Sequence, residues 1–116
     1  EPYITLYHWD LPQALEEKGG WQNEDTARAF AVYTAKMAEH FKGRVHQWFT
    51  FNEPACIVKM GYGTGEHAPG LKLPLEGQFT CWQNIIALPC RAGAPPYGRR
   101  KQSGLRLHRP HLLPRI

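Results

Sequence analysis

A glutamate directly follows a strand-like run of aromatic and apolar residues in this chain. Glu53 stands between Asn52 and Pro54, at the end of residues 45–51. In parallel α/β folds the reactive groups lie at the carboxyl ends of strands, which is where Glu53 is expected. Apolar neighbours favour the protonated form of a carboxyl group, the form that a general acid needs, and Asn52 can hydrogen-bond a substrate hydroxyl. The alternative is that Glu53 caps a short helix beginning at Pro54, and the spacing alone leaves both interpretations open.

A second polar and aromatic cluster, His8-Trp9-Asp10, closes an earlier strand-like run at residues 3–8. Tryptophan offers a flat apolar surface to the C–H side of a sugar ring, and histidine can hydrogen-bond its hydroxyls. Alternatively, Trp9 plugs the end of the sheet and His8 is a core histidine. Because both clusters would lie at one edge of a sheet, we favour a shared site.

A helix is predicted between these two runs. Asn23 is a typical N-cap, and apolar residues recur every three or four positions from about 24 to 42. Strand, helix and strand make a βαβ unit of a parallel sheet, so the fold class is α/β. A complete eight-fold barrel needs at least about 200 residues, so we expect these 116 residues to be a piece of a larger fold. The predicted apolar face of the helix consists of Ala27, Phe30, Ala31, Thr34, Met37, Ala38 and Phe41.

The remaining composition argues against a metal, a cofactor and a membrane. His40, His46 and His67 are scattered and no HExxH or CxxC pair occurs, so we expect neither a metal site nor a cofactor. The glycine-rich residues 61–65 lack the lysine of a phosphate-binding loop and are predicted to form an ordinary loop. No apolar run approaches about 18 residues, so no membrane partner is expected. An odd number of cysteines at irregular spacing suggests reduced thiols and a cytoplasmic location; these are Cys56, Cys81 and Cys90.

Charge divides the chain into two parts. Residues 1–81 hold seven Lys and Arg and ten Asp and Glu, a net −3, whereas residues 82–116 hold seven Lys and Arg and no acid, a net +7. We therefore interpret 85–116 as an irregular Pro/Arg-rich tail, either disordered or translated from a shifted reading frame. A shifted frame is suggested by the loss of acids and the gain of Arg and Pro, which GC-rich DNA tends to encode when it is read out of frame. A nucleic-acid-binding role for this tail is an alternative, but it has a single aromatic residue, Tyr97, so nucleic acid is not the expected partner.

Several motifs, taken in order, resemble glycoside hydrolase family 1, the β-glucosidase-like enzymes. Each motif would be weak evidence alone, whereas their order along the chain is specific. The likeness covers about residues 1–81, and we predict that the glycosidase-like region spans residues 1–84. The resemblance implies a fragment of a (β/α)₈ TIM barrel, about its third and fourth strands with the intervening helix. The motifs are residues 2–13, 19–21, 48–54, 61–65 and 68–70.

The resemblance also implies roles for the site residues. Glu53 matches the general acid/base, Asn52 matches a residue that contacts the sugar 2-hydroxyl, and His8 and Trp9 match residues lining the sugar pocket. The implied substrate is a small-molecule β-glycoside, cleaved with retention by two carboxyl groups about 5 Å apart. The family's nucleophile lies in a Glu-Asn-Gly motif that does not occur in this sequence. We therefore expect an inactive isolated chain; the alternative is a non-catalytic interaction module that self-associates through exposed barrel edges.

Overall fold

Asn23 caps the longest helix among the described residues, as the sequence predicts. In the computed structural model, which describes residues 1–86 and 106–107, the Asn23 side chain accepts a hydrogen bond from the Asp25 backbone N–H at 2.9 Å. The helix, α2, spans Glu24–His40. The predicted apolar face is turned towards the protein, with Ala27 buried and Phe30, Met37 and Ala38 half-buried.

Two parallel strands flank α2. Strand β1 is Tyr3–Tyr7 and strand β2 is Gln47–Phe51, paired in parallel with Ile4 opposite Trp48 and Tyr7 opposite Phe51. The predicted βαβ unit is therefore confirmed.

A third strand extends this sheet. Strand β3, Arg106–Leu107, pairs in parallel with β2, and the strand order is β1-β2-β3. The sequence predicts an irregular tail at 85–116, and this prediction is wrong at Arg106–Leu107, because two residues are too few to show a period. It is also wrong at residues 85–86, which end a helix that begins at Leu75. The other residues of that tail, 87–105 and 108–116, lie outside the described part of the chain.

Helical segments fill the connections. Short helices α1, Gln13–Glu16, and α3, Pro54–Cys56, follow the two strands, with a 3₁₀ turn at Gly20–Gln22. A π-helix, Ile57–Thr64, continues from α3, and helix α4 spans Leu75–Ile86. The glycine-rich residues 61–64 therefore belong to a helix, so their prediction as a loop is wrong.

Among residues 1–86, the buried hydrophobic side chains form two clusters. The smaller cluster is Leu6, Val45 and Trp48, and α2 packs against it through Met37. The larger joins β1, the 3₁₀ turn, the π-helix and α4, and its buried members are Tyr7, Trp21, Ala27, Ile57, Val58, Tyr62, Cys81 and Ile85.

Buried hydrogen bonds tie the helical segments to one another. The Tyr62 hydroxyl donates to Glu16 Oε2 at 2.7 Å and accepts from the Trp21 backbone N–H at 3.2 Å. Asn84 Nδ2 donates to the Trp21 carbonyl at 2.9 Å. Because an unpaired buried polar group costs about 1–3 kcal/mol, these bonds fix the π-helix and α4 against the turn that holds Trp21.

Within residues 1–86 and 106–107, no helix has the length and apolar character needed to cross a bilayer.

Candidate functional site

The carboxyl ends of β1 and β2 bring the two predicted clusters together. The backbone N–H of Asn52 donates to the Tyr7 carbonyl at 3.0 Å, which continues the pairing past the end of β2. Trp9 Nε1 donates to the Asn52 carbonyl at 3.0 Å. Trp9 and Asn52 are 43 residues apart in sequence, so parallel pairing is what makes them neighbours.

Trp9 stands at the rim of the sheet in an uncommon backbone conformation. Its φ is 78°, in the left-handed region that residues with a side chain seldom adopt. The indole is half-buried and packs against the larger core cluster. Trp9 therefore covers part of the core at the end of the sheet, as the alternative interpretation predicts, but its ring also stays partly exposed. His8 is exposed, with its ring 5.4 Å from that of Trp9, and is therefore not a core histidine.

Glu53 lies at the N-terminus of α3 but does not cap it with its side chain. Its φ of 41° and ψ of 69° are left-handed, and its side chain makes no capping hydrogen bond. The helix-cap alternative is thus correct that Glu53 occupies the N-cap position and wrong that its carboxylate caps the helix. The residue is exposed. The described neighbours do not form the apolar enclosure expected from the sequence.

The Glu53 carboxylate has a side-chain partner in the first turn of α3. Cys56 Sγ donates to Glu53 Oε2 at 3.2 Å. This hydrogen bond raises the pKa of the Cys56 thiol above its ordinary value, and the negative charge of Glu53 acts in the same direction. The thiol therefore stays neutral near pH 7 and acts as a donor to the carboxylate.

His67 joins the site although no motif of the sequence pointed to it. Its ring lies 4.9 Å from the Trp9 ring at an interplanar angle of 37°, and the residue is half-buried. His67 is one of several scattered histidines in the sequence, and no spacing relates it to a residue 58 positions earlier. The sole signal was its place beside the family-like residues 68–70.

The arrangement has the chemistry of a surface for a polar, ring-shaped ligand. It combines an exposed carboxylate, Glu53, with an indole, Trp9, and two imidazoles, His8 and His67. Glu53 directly follows Asn52, whose carbonyl accepts the hydrogen bond of the Trp9 indole. The described residues contain no group of three or more His, Cys, Asp or Glu that could hold a metal ion.

Known proteins resemble this chain over most of its length. It is 54% identical over 91 residues to rat (Rattus norvegicus) lactase/phlorizin hydrolase, covering 78% of this chain and 5% of that protein. It is 44% identical over 107 residues to the human (Homo sapiens) lactase-like protein, covering 90% of this chain and 19% of that protein. A match to 90% of the chain necessarily includes part of residues 85–116.

A solved structure shares the fold of the chain. The β-glucosidase from Thermotoga maritima in complex with deoxynojirimycin is 42% identical, with a TM-score of 0.73 over 78% of this chain and 20% of that one. This similarity confirms the predicted TIM-barrel class. The chain thus spans at most about a fifth of these relatives, 5% to 20% of their lengths.

The family match confirms the resemblance that the motifs indicated. The family described as glycosyl hydrolase family 1 matches residues 1–94, ten residues beyond the boundary predicted at 84. With four-fifths of its residues inside that match, the chain belongs to glycosyl hydrolase family 1.

Proposed function

We propose that this chain supplies the general acid/base, and part of the sugar-binding surface, of a retaining β-glycosidase. The observation that carries the proposal is the position of Glu53, exposed at the carboxyl end of β2 and joined through Asn52 to the indole of Trp9. Reactive groups of (β/α)₈ barrels occupy this end of the strands. The described residues correspond, on this proposal, to about the third and fourth barrel strands.

Glu53 would act twice in the reaction. As a carboxylic acid it gives its proton to the glycosidic oxygen while the bond from that oxygen to the anomeric carbon breaks, and the alcohol leaves. A second carboxylate attacks the anomeric carbon and forms a glycosyl ester. The Glu53 carboxylate then takes a proton from the water that attacks this ester, which releases the sugar and restores both carboxyl groups.

The second carboxylate must lie about 5 Å from Glu53, on the opposite side of the sugar ring. The family places it in a Glu-Asn-Gly motif, which this sequence lacks. We therefore propose that the isolated chain does not hydrolyse glycosides.

The proposed substrate class is supported by the names of the relatives and by the side chains at the carboxyl ends of β1 and β2. Their names, β-glucosidase and lactase/phlorizin hydrolase, support a β-linked glycoside. His8 and Asn52 would hydrogen-bond sugar hydroxyls, and Trp9 would pack against the C–H face of the ring.

A direct test of inactivity is incubation of the purified chain with an aryl β-glucoside. No turnover above background is expected. Turnover that disappears in Glu53→Gln would show that the chain finds a nucleophile of its own and would overturn the inactivity proposal.

A chimera tests the role of Glu53. Residues 1–84 would replace the matching segment of the Thermotoga maritima β-glucosidase, which retains the missing strands. Glu53→Gln should lower kcat/KM for a glucoside with a poor leaving group by about 10²–10⁴, the usual contribution of general acid–base catalysis. Azide should restore turnover of an activated aryl glucoside, because an anion attacks the glycosyl ester without a base, and it should give the β-glucosyl azide.

Glu39→Gln is the matched control, since Glu39 lies in the last turn of α2, which leads to the amino end of β2, whereas Glu53 follows the carboxyl end of that strand. It should leave the activity of the chimera unchanged. If Glu53→Gln behaved like Glu39→Gln, or if azide gave the α-configured product, the proposed role of Glu53 would be refuted.

A further inference from the structure

We propose that His67 is a positioning residue that holds the indole of Trp9 in the orientation needed for sugar binding. The role in sugar binding rests on the proposed function, whereas the effect of His67 on the Trp9 indole can be measured in the chain without a sugar. His67 lies on neither strand, so this role adds a third segment to a site that the motifs place at two strand ends.

The rings of His67 and Trp9 are in contact. Ring centroids of His67 and Trp9 are 4.9 Å apart, closer than the 5.4 Å between Trp9 and its chain neighbour His8. Separations of about 4.5–7 Å are those of attractive aromatic pairs. His67 is therefore a packing partner of the indole that does not come from the adjacent backbone.

Backbone hydrogen bonds hold His67 in place. Residues 65–73, here called the return loop, follow the π-helix and are hydrogen-bonded to its residues 60–62. The His67 N–H donates to the Met60 carbonyl at 3.1 Å, and the Gly70 N–H donates to the His67 carbonyl at 2.7 Å. Two further bonds, from Leu71 N–H to the Gly61 carbonyl and from Leu73 N–H to the Tyr62 carbonyl, fasten the loop beyond it at 2.9 and 2.8 Å.

A continuous stretch of the chain links this loop to Glu53. The π-helix continues directly from α3, and α3 begins immediately after Glu53. One continuous segment therefore runs from the candidate acid/base to the return loop, and the His67 ring closes it back onto Trp9. Trp9 is in turn bonded to the Asn52 carbonyl, next to Glu53.

The need for such a residue follows from the position of Trp9. Its backbone is in the left-handed region and its ring stands at the rim, where it is only half-buried. A ring ordered before the ligand arrives avoids an entropic cost on binding. His67 would supply that order from the side of the return loop.

The experiment measures solvent exchange of the Trp9 indole N–H in the full chain. With ¹⁵N-labelled tryptophan the chain gives four indole signals, and Trp9→Phe identifies the one from Trp9. In His67→Ala that proton should exchange several-fold faster, because loss of the packed ring loosens its bond to the Asn52 carbonyl. His67→Phe keeps an aromatic ring and should restore slow exchange.

Two references separate positioning from general stability. The Trp21 indole is fully buried and should keep its exchange rate in every variant. His46→Ala alters an exposed histidine just before β2, at the opposite end of the strand from Glu53, and should leave Trp9 unchanged.

The proposal is overturned if His67→Ala leaves Trp9 exchange unchanged, if the Trp9 and Trp21 indoles accelerate together, or if His67→Phe behaves like His67→Ala. None of these measurements uses a glycoside. Failure here therefore leaves the role of Glu53 standing, whereas failure of the chimera leaves the Trp9 result standing.

Discussion

Glu53 and Trp9, the two side chains at the centre of the candidate site, both have a left-handed backbone. Their φ values are 41° and 78°. This conformation crowds Cβ against the following carbonyl and costs about 1–2 kcal/mol for each residue. Strain of this kind persists where the surrounding structure enforces it, and it concentrates at functional sites. Pairing of β1 with β2 and the start of α3 enforce it here, so the two side chains are placed by the fold and not by local preference.

The strain at Glu53 can be measured with two substitutions that both remove the carboxylate. Glu53→Gly should be more stable than Glu53→Ala by about 1 kcal/mol, because glycine adopts a positive φ without the Cβ clash. Urea unfolding followed by far-ultraviolet circular dichroism gives the two free energies of unfolding. An alanine variant as stable as the glycine variant would show that the native φ is not left-handed in solution.

The thiols of Cys56 and Cys81 report on Glu53 and on the core. The hydrogen bond to Glu53 raises the pKa of Cys56, whereas burial raises the pKa of Cys81 to about 12, with the charge of Glu16 adding to it. A raised pKa leaves less thiolate at a given pH, and the thiolate is the species that iodoacetamide alkylates. Near the ordinary thiol pKa, Cys56 should therefore react more slowly than in the unfolded chain, and Cys81 should hardly react.

Glu53→Gln should speed alkylation of Cys56 several-fold and move its pH profile to lower pH, because the hydrogen bond to a carboxylate and the neighbouring negative charge are both lost. Peptide-resolved mass spectrometry follows each thiol separately. Glu39→Gln is the control, and Cys81 should not respond to either change. Equal Cys56 rates in wild type and Glu53→Gln would contradict the Cys56–Glu53 contact.

For individual residues, part of the candidate site can be predicted from the sequence. It indicated His8, Trp9, Asn52 and Glu53, and the structure places Trp9 and Asn52 in contact. Their catalytic and binding roles stay predictions. His67 could not be predicted, because its contact with Trp9 arises from the course of the π-helix and return loop and not from any spacing along the chain.

Among the elements, α2 shows what a sequence pattern can predict. Its cap, its length and its apolar face were all evident, because each depends on residues within a turn or two of each other. The π-helix is the opposite case. Tyr62, within it, bonds to Glu16, 46 residues away, and its glycines are those of a typical loop. Its stability comes from tertiary contacts, so the local pattern predicted the wrong structure.

Gly61 tests the contact between the π-helix and the return loop. A Cβ at this position would lie 2.8 Å from the Ala68 carbonyl oxygen, too close for either backbone to stay in place. Gly61→Ala should therefore destabilise the chain by about 1–3 kcal/mol, the usual cost of overpacking, despite the better helix propensity of alanine. It should also shift the Trp9 indole signal, because the return loop carries His67.

Gly43→Ala is the matched comparison. Gly43 has a φ of 76°, and among the described residues no atom would lie within 4 Å of a Cβ added there, so only backbone strain opposes the substitution. It should cost about 1 kcal/mol and leave the Trp9 signal in place. If Gly61→Ala proved neutral while Gly43→Ala did not, the close approach of the return loop would be wrong.

For the whole molecule, the sheet is the feature that favours association with another chain. Strand β1 pairs with β2 on one side, and within the described residues no strand pairs with its other side. Tyr3 and Phe49 stack on each other at 6.2 Å between ring centroids, yet they are 64% and 43% exposed. An open strand edge beside exposed aromatic rings is a template for pairing with another chain.

We therefore predict concentration-dependent self-association of the isolated chain, measured by size-exclusion chromatography with light scattering. The double variant Tyr3→Lys/Phe49→Lys should stay monomeric, because it places two charges where an apolar contact would form. Val32→Lys charges a residue of α2 that is 58% exposed, away from the strand edge, and should associate like the wild type. A wild-type chain that is monomeric at every concentration would mean that the open edge of β1 is covered from within the chain itself. If all three proteins associated equally, the contact would lie on another surface.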